Sequence, residues 1–379
     1  MPPATDPAHE SRQGDGPPAL NKRTSVPSDT LLGWLDQMLL IREFEVRTMQ
    51  AYQQRKIGGF CHIYIGQEAV AVGCTAAVED SDPIVTAYRD HGHAIARGMA
   101  PKYCMAEMYG RIGGCAKGKG GSMHMFDKPN NFFGGHGIVG AQTPLGAGLA
   151  FADKYVHEVI EGGANRGVTL CFLGDGALNQ GAFHEAMNLA GLFDIPVIYV
   201  VENNGYSMGT SIDRGTTMAH QLVSKGLGYG ILGFEVNGMD VIDVHEQMSA
   251  IVERSREASR PALVDMKTYR FKGHSMSDPR KYRTREEEHE WEEGDPITKL
   301  REVLVATGHL DDNGYKERVG AVRETVREAI EWADASPEPD LSELYHDVFV
   351  QKMGPYTGTS VPEMLLDVDA SSDSEEDAS

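Results

Sequence analysis

Two uninterrupted apolar runs restrict the fold of this chain more than any other feature of its sequence. They are "VTLCFL" at 168–173 and "PVIYVV" at 196–201, and the amphipathic stretch "GAFHEAMNLAGLF" lies between them. A strand with one face in water alternates apolar and polar residues, whereas continuous apolar runs of this length are typical of strands covered on both faces. We therefore predict two neighbouring strands of a buried parallel sheet, joined by a crossover helix.

The same alternation of strands and helices extends over most of the chain. Apolar residues recur at helical spacing after Ser28, which we expect to cap that helix. A strand near "GFEVNG", a helix from Val241 to about Ala258 and a strand at "PALVDMKTY" follow the two apolar runs. The segment "KGHSMSDPRKYRTREEE" is predicted to be a long polar loop, and helical stretches at 297–306 and 314–333 follow it. The predicted class is α/β, with a doubly wound, mostly parallel sheet, helices on both faces and a C-terminal helical extension.

We divide the chain into three parts. Residues 1–28 are rich in proline, glycine and charge and are predicted to be a flexible arm. Residues 29–345 are predicted to form one ligand-binding domain. Residues 346–379 are an extension ending in "DVDASSDSEEDAS", whose low hydrophobicity and uncompensated charge are typical of a disordered tail.

Charge and cysteine usage exclude several classes of protein. The 56 acidic and 35 basic residues give a net charge of −21, and such a surface repels nucleic acids. No window approaches the roughly 18 uninterrupted apolar residues of a membrane span, and the N-terminal sequence lacks the apolar core of a secretory signal. Five cysteines without a C-x-x-C pair indicate neither a disulfide framework nor a zinc site. We expect neither a nucleic-acid nor a membrane partner, and a location in a bacterial cytoplasm before an organelle.

Two glycine-rich stretches resemble nucleotide-binding motifs only in part. "GGCAKGKGGS" at 113–122 matches a phosphate loop until Gly120, where a magnesium-binding Ser or Thr is required, and a helix rather than a strand precedes it. "GAGLAF" at 146–151 has Phe151 where a dinucleotide-binding loop has its third small residue, so we interpret it as close helix packing. Neither a nucleotide triphosphatase nor a nicotinamide dehydrogenase is favoured.

Polar clusters follow both buried strands, at the edge of the sheet where ligands bind in this class. "GDGALNQG" at 174–181 places Asp175 at the end of the first strand, and "ENNGYSMG" at 202–209 places Asn204 at the end of the second. A tight turn after Asn204 exposes the carbonyl of Tyr206. One carboxylate and two neutral oxygens make a half-shell for Mg²⁺, which phosphate oxygens would complete.

Seven motifs together carry a resemblance to a known family. They are, in order, "FCHIYIGQEA", "TAYRDHG", "GCAKGKGGSMHM", "GGHGIVGAQ", "GDGALNQG", "ENNGYSMGTS" and "YRFKGHSMSDP". This series closely resembles the alpha subunits of the pyruvate-type dehydrogenase component of 2-oxo acid dehydrogenase complexes, which are thiamine diphosphate enzymes. The resemblance covers about residues 30 to 345, nearly all of the predicted domain.

The resemblance implies a role for each matched position. The positions that match magnesium ligands are Asp175, Asn204 and the Tyr206 carbonyl. The positions that match contacts to the cofactor diphosphate are Tyr88, Arg89, Gly176 and Ala177. Gly137 and Val139 match residues that meet the aminopyrimidine ring, and we expect the side chains of Ile138 and Val139 to act as wedge and core. His62 matches a histidine near the substrate. His274 matches one at the mouth of the active site that contacts the cofactor and stabilises charge during the reaction.

The implied activity is that of an oxidoreductase acting on the oxo group of 2-oxo acids, with a lipoyl disulfide as acceptor. Thiamine diphosphate and Mg²⁺ are the implied cofactors, pyruvate is decarboxylated, and the acetyl group passes to the lipoyl group of an acyltransferase, leading to acetyl-CoA. Only one sheet of the required size fits in the chain. A beta subunit is therefore implied to supply the activating glutamate, in an alpha-two beta-two heterotetramer.

Some positions depart from the family, and two related activities stay open. His136 stands where mitochondrial members often have Asn, so a further titratable group is expected near the site. The loop after Pro279 is one residue shorter than in those members and lacks their second regulatory serine, while Ser275 and Ser211 match phosphorylated positions but are interpreted as polar loop residues. Acetoin and branched-chain 2-oxo acid dehydrogenase alpha subunits are the alternatives, and a non-catalytic binding subunit is a third.

Overall fold

The computed structural model describes residues 26–165 and 167–347. The predicted acidic tail and most of the predicted N-terminal arm lie outside these residues. The described residues from 26 to 338 belong to one compact unit, and a second unit begins at Pro339. In the second unit the described part contains one short 3-10 helix, Leu341–Tyr345. No helix among the described residues has the length and apolar character that a bilayer crossing requires.

Helices and strands alternate along the first unit. The strands are β1 (Ile84–Ala87), β2 (Phe132–His136), β3 (Thr169–Gly174), β4 (Val197–Asn203), β5 (Tyr206–Ser207), β6 (Thr210–Ser211), β7 (Leu232–Asn237) and β8 (Ala262–Lys267). The α-helices are α1 (Ser28–Gln53), α2 (Glu68–Ala76), α3 (His91–Ala96), α4 (Pro101–Met108), α5 (Gln142–Tyr155), α6 (Gly181–Leu192), α7 (Ile212–Gly215), α8 (Val241–Ala258), α9 (Arg285–Glu293), α10 (Pro296–Ala306) and α11 (Asp312–Ala335).

Six of these strands form one parallel sheet in the order β2-β1-β3-β4-β8-β7, and β5 and β6 form a separate antiparallel pair. Successive side chains of β3 enter two different clusters: Leu170 and Phe172 join residues of α1, α2 and α8, whereas Cys171 and Leu173 join residues of α5 and α6. Because both faces of the sheet are covered, its strands need apolar residues at every position. The predicted doubly wound α/β class is confirmed.

Several predicted elements are confirmed and others need correction. The crossover helix, the helix from Val241 and the strand at 262–267 are present at the expected places. Ser28 was expected to cap the first helix, but it is the first helical residue, and Pro27 before it makes no side-chain cap. The predicted long polar loop is helical from Arg285 onwards, because Thr284 accepts a hydrogen bond from the Glu287 amide and so starts α9.

The glycine-rich loop at 113–122 binds an anion that belongs to the chain itself. The buried carboxylate of Glu107, in α4, accepts hydrogen bonds from the amides of Ala116 and Gly118 at one oxygen and of Gly120 and Gly121 at the other, over 2.7–3.1 Å. A Cβ at Gly120 would lie 2.3 Å from the His124 carbonyl oxygen, so only glycine fits. These four amides are therefore already engaged, and the loop has a structural role.

We expect Glu107→Gln to destabilise the folded chain by roughly 2–4 kcal/mol, because the new amide group would face two backbone N–H donors. The measurement is the urea dependence of unfolding. Glu253→Gln, at an exposed position of α8, is the matched control and should change the unfolding free energy very little. Equal stability of the two variants would contradict the assigned role of Glu107.

Candidate functional site

A cavity of about 210 Å³ lies at the carboxyl edge of the sheet, and residues that follow adjacent strands line it. Tyr88 follows β1, Val139 follows β2, Asp175 follows β3, Asn204 follows β4, and Arg270 follows β8. Parallel strands direct all of their carboxyl ends to one edge, so these residues meet although they are far apart in sequence. We refer to this space as the strand-end cavity.

Asp175 is the acidic group at the centre of the β3 end. Its side chain is 2% exposed, and its Oδ1 accepts a hydrogen bond from the Gly176 amide at 2.8 Å. Its Oδ2 is buried and has no hydrogen-bond partner among the described residues. Burial raises the pKa of this carboxyl to about 6. A cation stabilises a buried carboxylate that has a free oxygen. Asp175 is therefore suited to bind a metal ion.

Asn204 and Tyr206 line the same cavity and contribute neutral groups. Gly205 between them has a φ of +79°, so the tight turn that the sequence predicts is present. The Asn204 amide nitrogen donates to Gln67 Oε1 at 3.1 Å, while Asn204 Oδ1 lies 3.4 Å from the Tyr206 amide. One carboxylate and two neutral oxygens are too few ligands for a cation that only protein atoms hold. They suit Mg²⁺ whose remaining ligands are phosphate oxygens.

The turn after Asp175 brings the backbone close to the cavity. Gly176 and Ala177 belong to the short 3-10 helix Asp175–Asn179, and both line the cavity. A Cβ at Gly176 would lie 2.2 Å from the Ser207 hydroxyl, so a side chain there would displace the β5 segment. These positions match backbone contacts to phosphate in the resemblance, and their placement fits such a contact.

Arg270 is a basic side chain of the cavity that the sequence did not single out. It is 1% exposed, and its guanidinium donates to the Tyr282 hydroxyl at 3.0 Å and to the Met208 carbonyl. Burial, together with the charges of Arg89 and Arg283, lowers its pKa to about 10, so it remains charged near neutral pH. The sequence signal for Arg270 was its position directly after the last predicted strand. It was overlooked because the same motif holds several other charged residues.

Arg89 is a second buried basic residue of the strand-end cavity. It lines the cavity, yet its guanidinium donates to the carbonyls of Ile63, at 2.7 Å, and of His274, at 2.8 Å. The side chain therefore joins the two segments that carry His62 and His274. Its charge lies beside the cavity and burial lowers its pKa.

A larger chamber of about 840 Å³ adjoins the strand-end cavity, and Tyr88, Val139 and Met208 line both. The rings of His62 and Tyr88 have centroids 4.5 Å apart, and those of His62 and His274 are 5.1 Å apart. We refer to this space as the histidine chamber. His124, to which sequence reasoning gave no role, also lines it.

Both predicted histidines are held neutral. Burial, with a smaller contribution from the charge of Arg89, lowers the pKa of His62 to about 2 and that of His274 to about 4. The Nδ1 atoms of both rings are buried and have no hydrogen-bond partner among the described residues. Two neutral imidazoles with uncommitted nitrogens can donate to or accept from a small polar substrate.

The loop after β2 is exposed, contrary to part of the expectation. Ile138 is 76% exposed and Val139 is 42% exposed, so neither is a core residue. Both line the histidine chamber together with Gly137, which places the loop at its rim. His136 stays at the end of β2, where its Nδ1 lies 3.1 Å from the Thr86 carbonyl.

A hydrogen-bonded loop carries His274. The Asp278 Oδ2 accepts from the His274 amide at 2.6 Å and from the Tyr282 hydroxyl at 2.5 Å. The guanidinium of Arg283 lies 4.5 Å from the centre of the Tyr269 ring and 4.7 Å from that of Tyr206. Such contacts fix the loop against the turn that carries Tyr206.

Of the two serines that match phosphorylated positions, Ser275 lies in a loop, as expected, whereas Ser211 lies in a short strand. Ser275 lines the histidine chamber, and its hydroxyl lies 3.0 Å from that of Ser277. Ser211 ends β6 and precedes α7.

Fold and site together define the class: an α/β protein with a ligand-sized cavity at the carboxyl edge of a parallel sheet, lined by buried acidic and basic side chains. Comparison with known proteins narrows this class. The model of the dehydrogenase E1 component family matches residues 36–342. The chain belongs to the dehydrogenase E1 component family, and the resemblance inferred from the seven motifs is confirmed. Membership of this family implies the use of thiamine diphosphate.

Curated relatives agree with this assignment. The chain is 48% identical over 331 residues to the pyruvate dehydrogenase E1 component subunit alpha of Rickettsia bellii, which covers 87% of this chain and 99% of that protein. It is 47% identical over 315 residues to the protein of the same name from Rhizobium meliloti, covering 83% and 88%. The chloroplastic subunit alpha-3 from Oryza sativa is 40% identical over 339 residues, covering 89% and 80%.

The neutral state of His62 makes an acid-dependent prediction. The unfolded chain binds a proton at this residue below about pH 6.5, whereas the folded chain does not until about pH 2, so stability falls as the pH drops through that window. Between pH 6.5 and pH 5 the loss is about 1.6 kcal/mol, because the slope reaches about 1.4 kcal/mol per pH unit only where His62 of the unfolded chain is fully protonated. The His62→Gln variant should lose that much less unfolding free energy over the same interval.

Urea unfolding at the two pH values measures this difference. His309→Gln, at an exposed position, is the control and should behave as the unsubstituted chain does. An acid dependence that is the same in His62→Gln and in the unsubstituted chain would show that His62 is protonated in the folded state.

Proposed function

We propose that this chain is the alpha subunit of a pyruvate dehydrogenase, which uses thiamine diphosphate and Mg²⁺ to decarboxylate pyruvate oxidatively and passes the acetyl group to a lipoyl group, leading to acetyl-CoA. One observation carries the proposal: buried Asp175, whose Oδ2 has no hydrogen-bond partner in the described part of the chain, lines a cavity that also holds the buried charge of Arg270. A cation beside Asp175 and an anion beside Arg270 are the two halves of a magnesium diphosphate site.

The residues of the chain divide the binding of the cofactor among them. Asp175, Asn204 and the Tyr206 carbonyl would hold Mg²⁺. The groups that would receive the diphosphate are Tyr88, Arg89, Arg270 and the backbone of Gly176 and Ala177. Gly137 and Val139, at the rim shared with the histidine chamber, would meet the aminopyrimidine ring. Thiamine diphosphate, when bound, supplies a carbon nucleophile that adds to the oxo carbon of the substrate and accepts the electrons left when carbon dioxide departs.

The histidine chamber would accommodate the substrate. Neutral imidazoles at His62 and His274 donate a hydrogen bond without the cost of desolvating a cation, so they suit an oxo oxygen that gains negative charge during the reaction. The Asp278 hydrogen bonds to the His274 amide and the Tyr282 hydroxyl hold His274 at the chamber. The Arg89 bonds to the carbonyls of Ile63 and His274 fix the spacing of the two histidine segments.

A beta subunit would complete the site in an alpha-two beta-two heterotetramer. Among the described residues that line the histidine chamber, one is acidic, Asp278. Both of its carboxylate oxygens accept hydrogen bonds within its own loop. It is therefore not available to activate a cofactor ring, and another chain has to supply a carboxylate. Exposed apolar side chains beside the chamber and on α5 and α6 support such an interface: Ile138, Leu145, Phe151, Tyr155, Leu189 and Leu192.

A lipoyl-bearing acyltransferase is the second proposed partner, because the acetyl group must leave the chamber on a carrier. We further propose that the complex acts in a bacterial cytoplasm, as the bacterial relatives support. The five cysteines are free thiols. Burial raises the pKa of Cys61 to about 12, so that thiol stays protonated and unreactive near neutral pH.

Removing the carboxylate of Asp175 tests the metal site. Asp175→Asn should raise the Mg²⁺ concentration that gives half-maximal activity by at least about 10-fold, the lower end of the effect of losing even an outer partner of a metal ligand. The measurement is a Mg²⁺ titration of the reconstituted complex at saturating thiamine diphosphate. Asp312→Asn, at an exposed position of α11, is the control. An unchanged titration for Asp175→Asn would place the metal elsewhere.

Separating the subunits tests the division of labour. The purified chain with thiamine diphosphate and Mg²⁺ should give negligible release of carbon dioxide from pyruvate, and addition of its beta subunit should restore turnover. The restored complex should also be compared on pyruvate, acetoin and branched-chain 2-oxo acids, with pyruvate expected to react fastest. Robust turnover by the isolated chain would overturn the proposed need for a second subunit.

A further inference from the structure

A string of buried polar side chains runs from helix α3 to the proposed metal site. It is formed by His93, Tyr64, Glu202, Gln67 and Asn204, each at most 7% exposed. We propose that Gln67 is a positioning residue, which turns the carboxamide oxygen of Asn204 towards the cation. This inference rests on the proposed magnesium site and adds a residue outside the set of ligands.

The far end of the string fixes the direction of its hydrogen bonds. Glu202 Oε1 accepts the hydroxyl of Tyr64, and His93 Nε2 lies 3.2 Å from the same oxygen. An oxygen that accepts these groups also needs a donor from its third neighbour. The carboxamide of Gln67 therefore presents its nitrogen, and Gln67 Nε2 lies 3.4 Å from Glu202 Oε1.

That orientation determines the next one. With its nitrogen directed to Glu202, Gln67 directs its oxygen to Asn204, and accepts a hydrogen bond from Asn204 Nδ2 at 3.1 Å. Asn204 then presents Oδ1 as its ligating atom; this oxygen also accepts a hydrogen bond from the Tyr206 amide at 3.4 Å and keeps a lone pair for the cation. If the Asn204 amide were reversed, its NH₂ group would face the cation and repel it.

The backbone around Gln67 keeps this arrangement in place. Gln67 is 1% exposed and lies directly before the first residue of α2. The next residue, Glu68, pairs with Arg42 and accepts the Gly66 amide at 3.0 Å. The oxygen and nitrogen of a carboxamide have nearly the same size, so packing alone does not orient Asn204. A hydrogen-bond partner of defined polarity is needed. Gln67 is the nearer such partner, at 3.1 Å, and the Tyr206 amide, at 3.4 Å, favours the same orientation.

Substitution at Gln67 tests the inference by metal binding rather than by turnover. Mn²⁺ binding to the complete alpha-beta complex with thiamine diphosphate is measured by electron paramagnetic resonance. Gln67→Met, which keeps the volume but removes both polar atoms, should raise the Mn²⁺ dissociation constant by about 10- to 100-fold. Gln67→Glu retains an acceptor that faces Asn204 and should bind Mn²⁺ more tightly than Gln67→Met does.

A double substitution separates positioning from general structural support. A carboxylate presents an oxygen in either orientation, so in an Asn204→Asp background the further change Gln67→Met should cost little Mn²⁺ affinity. An equal loss in both backgrounds would show that Gln67 acts by packing alone, and overturn the inference. No loss in the Asn204 background, or an equal loss for Gln67→Glu and Gln67→Met, would overturn it as well.

Two controls complete the design. Gln142→Met removes another buried glutamine of the same cavity, one that bonds the Phe172 carbonyl rather than Asn204, and it should leave Mn²⁺ affinity nearer to that of the unsubstituted complex. An effect as large as that of Gln67→Met would assign the loss to cavity packing. If the unsubstituted complex itself fails to bind Mn²⁺, the proposed metal site fails, whereas binding that is insensitive to Gln67 leaves that site intact and overturns only the positioning role.

Discussion

The parallel direction of the strands is the constraint on which the rest of this structure depends. Five neighbouring strands, in the order β2-β1-β3-β4-β8, end at one edge, and the segment that follows each of them contributes to the same site. Residues as distant in sequence as Tyr88 and Arg270 therefore line the same cavity, because each follows a strand of the sheet. The backbone hydrogen bonds of the sheet fix the end of each strand, and so they fix where each segment of the site begins. Changes in packing under β3 or β4 therefore change the position of chemical groups as well as the stability.

Burial gives these groups their chemical character. The same loss of water raises the pKa of Asp175, lowers that of Arg270 and keeps His62 and His274 neutral. One environment thus leaves a carboxylate that a cation would stabilise, a guanidinium that an anion would stabilise, and imidazoles that act through hydrogen bonds. A bound pair of a cation and a diphosphate would relieve both unfavourable charges at once. The protein holds these buried charges at a cost in folding free energy, which a magnesium diphosphate ligand would offset.

Sequence reasoning succeeded where one physical signal dominated. The strands β3 and β4 were predicted from their continuous apolar sequence, which reflects burial on both faces. Asp175 and Asn204 were predicted as site residues because each directly follows one of these strands. It failed for β1 and β2, which are four and five residues long and, in β2, contain two glycines. Arg270 and Gln67 were missed because their roles depend on neighbours from other strands. Ile138 and Val139 were expected to act as wedge and core, yet both are exposed at the chamber rim.

The glycine-rich loop shows why a motif needs its structural context. Successive backbone amides that point inwards bind an anion whatever its source, and in this chain the anion is the carboxylate of Glu107, four hydrogen bonds of which come from the loop. A phosphate would have to displace a buried charge that cannot leave, so the amides are closed to an external ligand. The segment that follows this loop carries Met123 and His124 into the wall of the histidine chamber. An anion-binding loop is therefore used here to build the wall of a site. The proposed position of the diphosphate is at the strand ends, where buried Arg270 lines the cavity and Asp175 has, for the cation, an oxygen without a partner among the described residues.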